Sequence, residues 1–109
     1  MQQLKKGVLE MLVLELVCQS PTYGYELLTR LKKESNGLFA LKEGTLYPIL
    51  YRLEDEGMIR SSWSNGAGRT APKKMYCVTE QGKEYRLRQR EVWKIFTATV
   101  DGFGKERQA

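Results

Sequence analysis

The chain has 109 residues, of which 41% are hydrophobic, so it can form one compact core but not two ordinary domains. It contains no histidine, and its two cysteines, Cys18 and Cys77, stand alone, which argues against a metal centre or a disulfide and leaves few groups for catalysis. We therefore expect no catalytic residue, no metal and no cofactor. The apolar run from Val8 to Cys18 is too short to cross a bilayer, so a cytoplasmic protein without membrane contact is expected.

The net charge of +5 is unevenly distributed along the chain. Residues 1–57 have a net charge of −1, whereas residues 58–79 contain four basic side chains and no acidic one. These four are Arg60, Arg69, Lys73 and Lys74. Such an uncompensated cluster attracts acidic partners, and nucleic acid is the first candidate.

The hydrophobic pattern predicts a mainly α-helical chain with one small β-hairpin. Thr22 is expected to cap the second helix, and Asn36-Gly37 to end it with positive φ angles. A flexible basic loop over 65–72 joins the two strands. The predicted elements are, in chain order, helices over 4–18, 22–35 and 43–57, strands over 58–64 and 74–79, and a last helix over 80–103.

This order of elements is that of a winged helix-turn-helix followed by an additional helix. It predicts a DNA-binding domain over 1–79 and a C-terminal dimerisation helix over 80–109, which form one compact unit. Pro48 is expected in the first turn of the third helix, where its missing N–H has no helical partner. At 100° per residue, this helix directs Leu46, Ile49, Leu50 and Leu53 to one side and Tyr47, Pro48, Tyr51, Arg52 and Asp55 to the other.

Three segments carry specific motifs: Tyr23-Gly24-Tyr25-Glu26-Leu27, the run from Gly44 to Ile59, and Tyr76-Cys77-Val78-Thr79-Glu80-Gln81-Gly82. Together they resemble the PadR family of bacterial transcriptional regulators over about residues 4–104. The resemblance implies a homodimer, usually a repressor, that releases DNA when a small aromatic or hydrophobic ligand binds. With one C-terminal helix, the chain is similar to the short members of that family.

The third helix and the hairpin, or wing, supply the candidate DNA contacts. The helix N-terminus and Lys42 can bind phosphate, its outer side chains can reach base edges, and the wing cations can reach phosphates or the minor groove. The alternatives are an ordinary surface helix, tyrosines that only pack in the core, and a solvated charge cluster. The candidates are Tyr23, Lys42, Thr45, Tyr47, Pro48, Tyr51, Arg52, Arg69, Lys73 and Lys74.

The last helix carries an apolar seam that a free surface helix would not expose, so we expect it to pack on the first helix and on a second copy of the chain. Two recognition helices in such a dimer would read a near-palindromic operator. In short PadR relatives a tryptophan of this helix lines a cleft for flat apolar compounds, and the resemblance implies the same role for Trp93. The alternative is that Trp93 is only an interface anchor. The candidate ligand-binding residues are Trp93, Phe96 and Leu12.

Two other function classes remain as alternatives. A protein-binding adaptor would use the winged helix as a scaffold and dock a partner on the aromatic last helix. An enzyme would have to use Cys18 or Glu43, but the sequence has no paired-carboxylate or glycine-rich phosphate motif and is too short for a deep pocket within one protomer. A DNA-binding transcriptional regulator, working as a homodimer, is therefore the expectation.

Overall fold

The computed structural model describes residues 2–64 and 71–105 of the chain, with side chains from residue 7 onward. The elements within these residues are, in chain order, α1 (Gln2–Gln19), β1 (Thr22–Tyr23), α2 (Gly24–Glu34), α3 (Glu43–Asp55), β2 (Ile59–Trp63), β3 (Lys74–Val78) and α4 (Glu80–Gly102). The strands form one antiparallel sheet in the order β1-β3-β2. The predicted fold, mainly α with a small hairpin in a winged helix-turn-helix order, is confirmed.

The start of α2 differs from the prediction. Thr22 does not cap the helix but lies in β1 opposite Tyr76 of β3, and Tyr23 occupies the N-cap position with an extended backbone. The Thr22 side chain is buried and its hydroxyl donates a hydrogen bond of 2.8 Å to the carboxylate of Glu26. The capping prediction is wrong because Thr22 belongs to β1. A strand of two residues is too short to show an alternating pattern, so the sequence did not indicate it. The end of α2 is as predicted, with positive φ at Asn36 and Gly37.

Pro48 lies in the second turn of α3 and not in the first, because the helix begins at Glu43. A proline here donates no hydrogen bond to the carbonyl four residues earlier, which belongs to Gly44. Gly44 is exposed, so water can hydrate that carbonyl. The helix continues past Pro48 to Asp55 because all four predicted inward side chains of α3 are buried in the core.

The core lies between α1, α2, α3 and the sheet. The dense apolar pattern of α1 is explained by buried side chains on more than one side of its axis, and half-buried Val8, Met11 and Leu12 lie beside them. Tyr76 of β3 is the largest fully buried side chain among the described residues. The buried residues of α1 are Leu9, Val13, Leu14, Leu16 and Val17.

The first turn of α4 is fixed to the end of α3 by a joint made of Gly57, Met58, Thr79 and Gly82. The Thr79 hydroxyl accepts a hydrogen bond of 3.0 Å from the Gly82 N–H and lies 2.6 Å from the carbonyl of Gly57, to which it donates. Gly82 packs so closely that a Cβ atom there would lie 2.0 Å from the carbonyl oxygen of Met58. Glycine is therefore required at this position for α4 to leave the wing at its observed angle.

Beyond this joint, α4 exposes an apolar face. The exposed apolar residues of this face are Val92, Ile95, Phe96 and Val100. Leu87 is exposed on another side of α4, and Phe103 is exposed just after its end. The radius of gyration is 16.7 Å, larger than the value of about 13 Å expected for a compact domain of about 100 residues. Within residues 2–64 and 71–105, no helix is both long and apolar enough to span a membrane.

Candidate nucleic-acid interface

The N-terminal end of α3 faces solvent. Lys42 occupies its N-cap position with an extended backbone, and no side chain caps the helix there. The carbonyl of Lys42 accepts from the N–H groups of Thr45 and Leu46, at 3.0 and 3.1 Å. The N–H groups of Glu43 and Gly44 precede these bonds and have no helical acceptor, as at any helix start. Together with the helix dipole and the Lys42 ammonium, they can bind a phosphate.

The outer surface of α3 has two edges that face different neighbours. Thr45, Pro48 and Arg52 line a recess against α1, together with Gly7 and Glu10. On this edge the Arg52 guanidinium forms an ion pair of 2.9 Å with the carboxylate of Glu10. Glu10 was not among the sequence candidates, because nothing in the sequence shows that α1 crosses α3 at this point.

Tyr47 and Tyr51 lie on the other edge of α3, next to the sheet, where the wing supplies two cations. The two tyrosine rings lie 6.1 Å apart between centroids, and the Lys74 ammonium lies 5.6 Å from the centre of the Tyr51 ring. The Lys73 ammonium lies 4.2 Å from the centre of the Tyr23 ring, at the start of α2. These are cation–π distances. We call Tyr23, Tyr47, Tyr51, Lys73 and Lys74 the tyrosine–lysine patch.

The patch depends on a close approach between α2 and α3. The Tyr47 hydroxyl lies so near to Gly24, the first residue of α2, that a Cβ atom at Gly24 would be 2.4 Å from it. Gly24 is itself buried. The glycine between the two tyrosines of the first motif thus makes room for the Tyr47 side chain of α3.

Tyr76 lies beneath the patch and supports it. Burial raises the pKa of its hydroxyl to about 12, with smaller contributions from Tyr47, Tyr51 and Glu54. Among the described residues this hydroxyl has no hydrogen-bond partner. Glu54 is held at the sheet, since Ser61 Oγ donates to its carboxylate at 2.6 Å. This hydrogen bond holds one carboxylate of the acidic C-terminal end of α3 at the sheet, away from the exposed N-terminal turns of the helix.

The predicted DNA contacts therefore fall into three groups. The first is Lys42 at the N-terminus of α3, and the second is the edge of α3 towards α1, with Thr45, Pro48 and Arg52. The third is the tyrosine–lysine patch, with Tyr23, Tyr47, Tyr51, Lys73 and Lys74. Arg69 lies outside the described residues. The patch joins residues more than 45 positions apart in sequence, namely Tyr23 and Lys73, because β1 pairs with β3.

The amino-acid sequence of the chain matches a known protein family. The model of the transcriptional regulator PadR-like family matches residues 13–88 of the chain. The chain belongs to this family. The PadR resemblance seen in the three motifs is confirmed, and with it the assignment of the chain as a transcriptional regulator with the winged-helix fold of PadR-like proteins.

Three comparisons, with two PadR-like proteins, illustrate the similarity. The negative transcriptional regulator PadR of Bacillus subtilis (strain 168) is 32% identical over 77 residues, which are 71% of this chain and 42% of that protein. A PadR-like transcriptional regulator from Bacillus cereus strain ATCC 14579 gives a TM-score of 0.81 at 31% identity, covering 96% of this chain and 99% of that one. Bacillus subtilis PadR in complex with operator DNA gives a TM-score of 0.63 at 25% identity, covering 94% of this chain and 50% of that one.

The PadR-like chain also has a groove between α1 and α4, which contains two of the three predicted ligand residues. Trp93 and Phe96 lie 6.3 Å apart between ring centroids and line the groove with Val8 and Met11 of α1. Its volume is about 300 Å³. The groove is open along the exposed face of α4.

Leu12 does not line this groove. It lines a separate recess of about 410 Å³ between α1, the end of α2 and α4, beside Leu16, Leu38 and Arg90. Leu12 follows Met11 directly and is therefore rotated by about 100° around the helix axis. The structure brings together Trp93 and Phe96 but places Leu12 on a different side of α1.

Glu15, which lines the recess beside Leu12, links α1 to α4. Its carboxylate accepts hydrogen bonds from Arg86, at both Nε and Nη2, the latter at 2.9 Å, and from Arg90 at 3.3 Å. The Arg86 hydrogen bonds are the main reason that the pKa of Glu15 lies below its ordinary value, and the charge of Glu15 raises the pKa of Arg86 in turn. Nothing in the sequence pattern predicts this contact, because the two residues are 71 positions apart.

Proposed function

We propose that this PadR-like regulator is a DNA-binding repressor that acts as a homodimer on a near-palindromic operator. The tyrosine–lysine patch is the observation that carries the proposal. It places the Lys74 ammonium beside the edge of α3 that carries Tyr47 and Tyr51, and the Lys73 ammonium over the Tyr23 ring at the start of α2. Lysines and tyrosine hydroxyls bind phosphates, while the exposed turns of a helix bind in the major groove. The operator complex solved for Bacillus subtilis PadR supports DNA binding by this chain.

The second copy of the chain would cover the apolar face of α4. That face includes Val92, Ile95, Phe96 and Val100, all more than half exposed. A contiguous apolar helix face of this kind marks an interface in a protein that is not embedded in a membrane. Pairing of two α4 helices would place two α3 helices on one side of the dimer, which suits half-sites about one helical turn of DNA apart.

The groove with Trp93 and Phe96 is the proposed site of a small aromatic or hydrophobic effector. Val8 and Met11 supply the opposite apolar wall, and thioether and aromatic groups contact flat ligands favourably. Because the groove lies between α1 and α4, a ligand there would change the separation of the dimer helix from the DNA-binding core. Release of DNA would follow from a changed spacing of the two α3 helices.

Fluorescence anisotropy with a labelled duplex from the region upstream of the regulator's own gene tests DNA binding, and sedimentation velocity of the same samples tests the dimer. We expect one dimer per duplex and a linear fall of log affinity with log salt concentration. Footprints should have two-fold symmetry. Salt-insensitive or absent retention on every duplex would instead favour the protein-binding adaptor.

The effector site is tested with 1-anilinonaphthalene-8-sulfonate, an anionic dye whose aromatic rings bind apolar sites. We expect the dye to gain fluorescence with the unmodified chain and to lose most of that gain with Trp93→Ala. The matched control is Leu12→Ala, since Leu12 lines the separate recess. An equal loss of dye binding in both variants would show that the groove is not a distinct site.

A further inference from the structure

Trp63, the last residue of β2, lies on the face of the wing that meets α3. In the antiparallel ladder Trp63 is paired with Lys74, and Ser61 with Tyr76. Directly opposite residues project to the same face, and alternate residues of a strand share a face. Ser61 donates to Glu54 of α3, and Lys74 lies over the Tyr51 ring of α3. Trp63 therefore continues the tyrosine–lysine patch towards the tip of the wing.

The indole of Trp63 is exposed but stands on a fixed piece of backbone. Its side chain is 68% exposed. The next residue closes the hairpin with two hydrogen bonds to Lys73: the Ser64 N–H donates to the Lys73 carbonyl at 2.8 Å, and the Lys73 N–H donates to Ser64 Oγ at 3.0 Å. Over the described part of the chain, the indole N–H of Trp63 has no hydrogen-bond acceptor. A large apolar ring with a free donor is thus held outward at low cost in side-chain entropy.

The charge around Trp63 selects the kind of partner. Lys74 is the cation paired with Trp63 on this face, Lys73 precedes it along the chain, and the segment 58–79 contains no acidic residue. The carboxylate of Glu54, on the same face, already accepts a hydrogen bond from Ser61. A second copy of this chain, with a net charge of +5, would place like charges together here, and an apolar peptide would leave both ammonium groups unpaired. The DNA backbone complements this surface, because its anionic phosphates can pair with the ammonium groups and the deoxyribose rings between them can pack against the indole.

We propose that Trp63 is a DNA-contacting residue whose indole packs on a deoxyribose beside the groove facing the wing and donates its N–H to the adjacent phosphate. The proposal rests on the DNA-binding function proposed above and assigns to it a contact that the sequence analysis did not include. An indole is uncharged, so it adds affinity without releasing counterions. Its contribution is therefore separable from that of the two lysines.

The first test compares the affinities of the variants Trp63→Ala, Trp63→Phe and Ser62→Ala for one duplex over a range of salt concentrations. Trp63→Ala should bind about tenfold more weakly, as expected for the loss of one hydrogen bond to a charged group, with an unchanged salt slope. Trp63→Phe should retain part of the affinity, because it keeps a ring but no donor. Ser62→Ala is the control on the opposite face of the same strand, paired with Met75, and should bind as the unmodified chain does.

The second test uses the two tryptophans of the chain as separate reporters. In a Trp93→Phe background only Trp63 fluoresces, and we expect the duplex to shield it from acrylamide quenching several-fold. In a Trp63→Phe background, which reports Trp93, the same duplex should leave quenching unchanged. Circular dichroism melting checks that each variant is folded.

The outcomes separate the two proposals. If the unmodified chain shows no salt-sensitive DNA binding, the proposed function itself fails. If the unmodified chain binds but Trp63→Ala has equal affinity, or if the duplex leaves Trp63 open to quenching, only the contact by Trp63 is overturned. A Trp63→Ala variant that binds DNA normally but no longer sediments as a dimer would assign Trp63 to a protein interface.

Discussion

Arg52 on the outer edge of α3 forms an ion pair with Glu10 of α1, with 2.9 Å between guanidinium Nη2 and carboxylate Oε2. The Arg52 side chain is half exposed, so the pair contributes little to folding, about 0–1 kcal/mol. The ion pair matters instead for DNA binding. A DNA phosphate that approaches Arg52 must compete with a carboxylate that already neutralises the guanidinium, so Glu10 lowers the affinity that Arg52 could supply.

Replacing Glu10 by glutamine should therefore strengthen DNA binding. We expect Glu10→Gln to raise the affinity for any duplex by about two- to fivefold at low salt and to steepen the salt dependence by up to about one unit, as for one additional phosphate contact. The free energy of unfolding should change by less than about 1 kcal/mol. Anisotropy titrations and urea denaturation measure the two quantities.

The control for this prediction is the double variant Glu10→Gln/Arg52→Gln. If Arg52 carries the effect, the gain in affinity disappears in the double variant, and the cycle gives a non-zero coupling energy between the two residues. A gain that persists without Arg52 would mean that Glu10 acts only through the general field of the protein.

Local spacing explains which parts of this surface could be predicted from sequence. The inward face of α3 was predicted because helix faces follow from residues three and four apart, and the wing cations were predicted from a run without acidic residues. The contacts of Tyr23 with Lys73, Arg52 with Glu10 and Glu15 with Arg86 were not, because each depends on how two distant elements cross. Leu12 was grouped with Trp93 on apolar character alone, which carries no information about the side of α1.

The salt dependence of DNA binding should distinguish Lys73 and Lys74, near the tip of the wing, from Arg60, nearer its base. Lys73→Gln and Lys74→Gln should each weaken binding and lower the slope of log affinity against log salt by about one. Arg60→Gln is the matched control, because Arg60 is paired with Cys77 on the face opposite to Lys74 and should leave the slope unchanged. Equal slopes for all three variants would contradict the assignment of the patch. Arg69 lies outside the described residues, and its contribution to DNA binding together with Lys73 stays a prediction from the sequence.

The contact of Glu15 with Arg86 should make the stability of the chain fall in acid. The pKa of Glu15 is lower in the folded protein than its ordinary value of 4.5, so below pH 4.5 the unfolded chain binds more protons at this site than the folded chain does. This stabilisation is present above that pH and is lost as the pH falls through the folded-state pKa. Urea denaturation at fixed protein concentration should show Glu15→Gln less stable by about 1–3 kcal/mol at pH 7, with the difference shrinking towards pH 3.

The control for Glu15 removes its partners. In an Arg86→Gln/Arg90→Gln background the carboxylate has lost both donors, so adding Glu15→Gln should have little further effect at pH 7. If the variant Glu15→Gln differed from the unmodified chain by the same amount at pH 3 and pH 7, the loss would come from packing and not from the charge of Glu15.

Two glycines of α4 provide a matched pair that tests the joint between the wing and the dimer helix. A methyl group at Gly82 would lie 2.0 Å from the Met58 carbonyl oxygen, whereas a Cβ at Gly102 has no neighbour within 4 Å. Since the obstacle at Gly82 is backbone, Gly82→Ala should cost about 3 kcal/mol in urea denaturation. Gly102→Ala should be neutral or stabilising by up to about 1 kcal/mol, because alanine favours the helix. A Gly82→Ala chain as stable as Gly102→Ala would mean that α4 can leave the wing at another angle. DNA affinity measured on the same variant would then show whether the spacing of the two α3 helices depends on that angle.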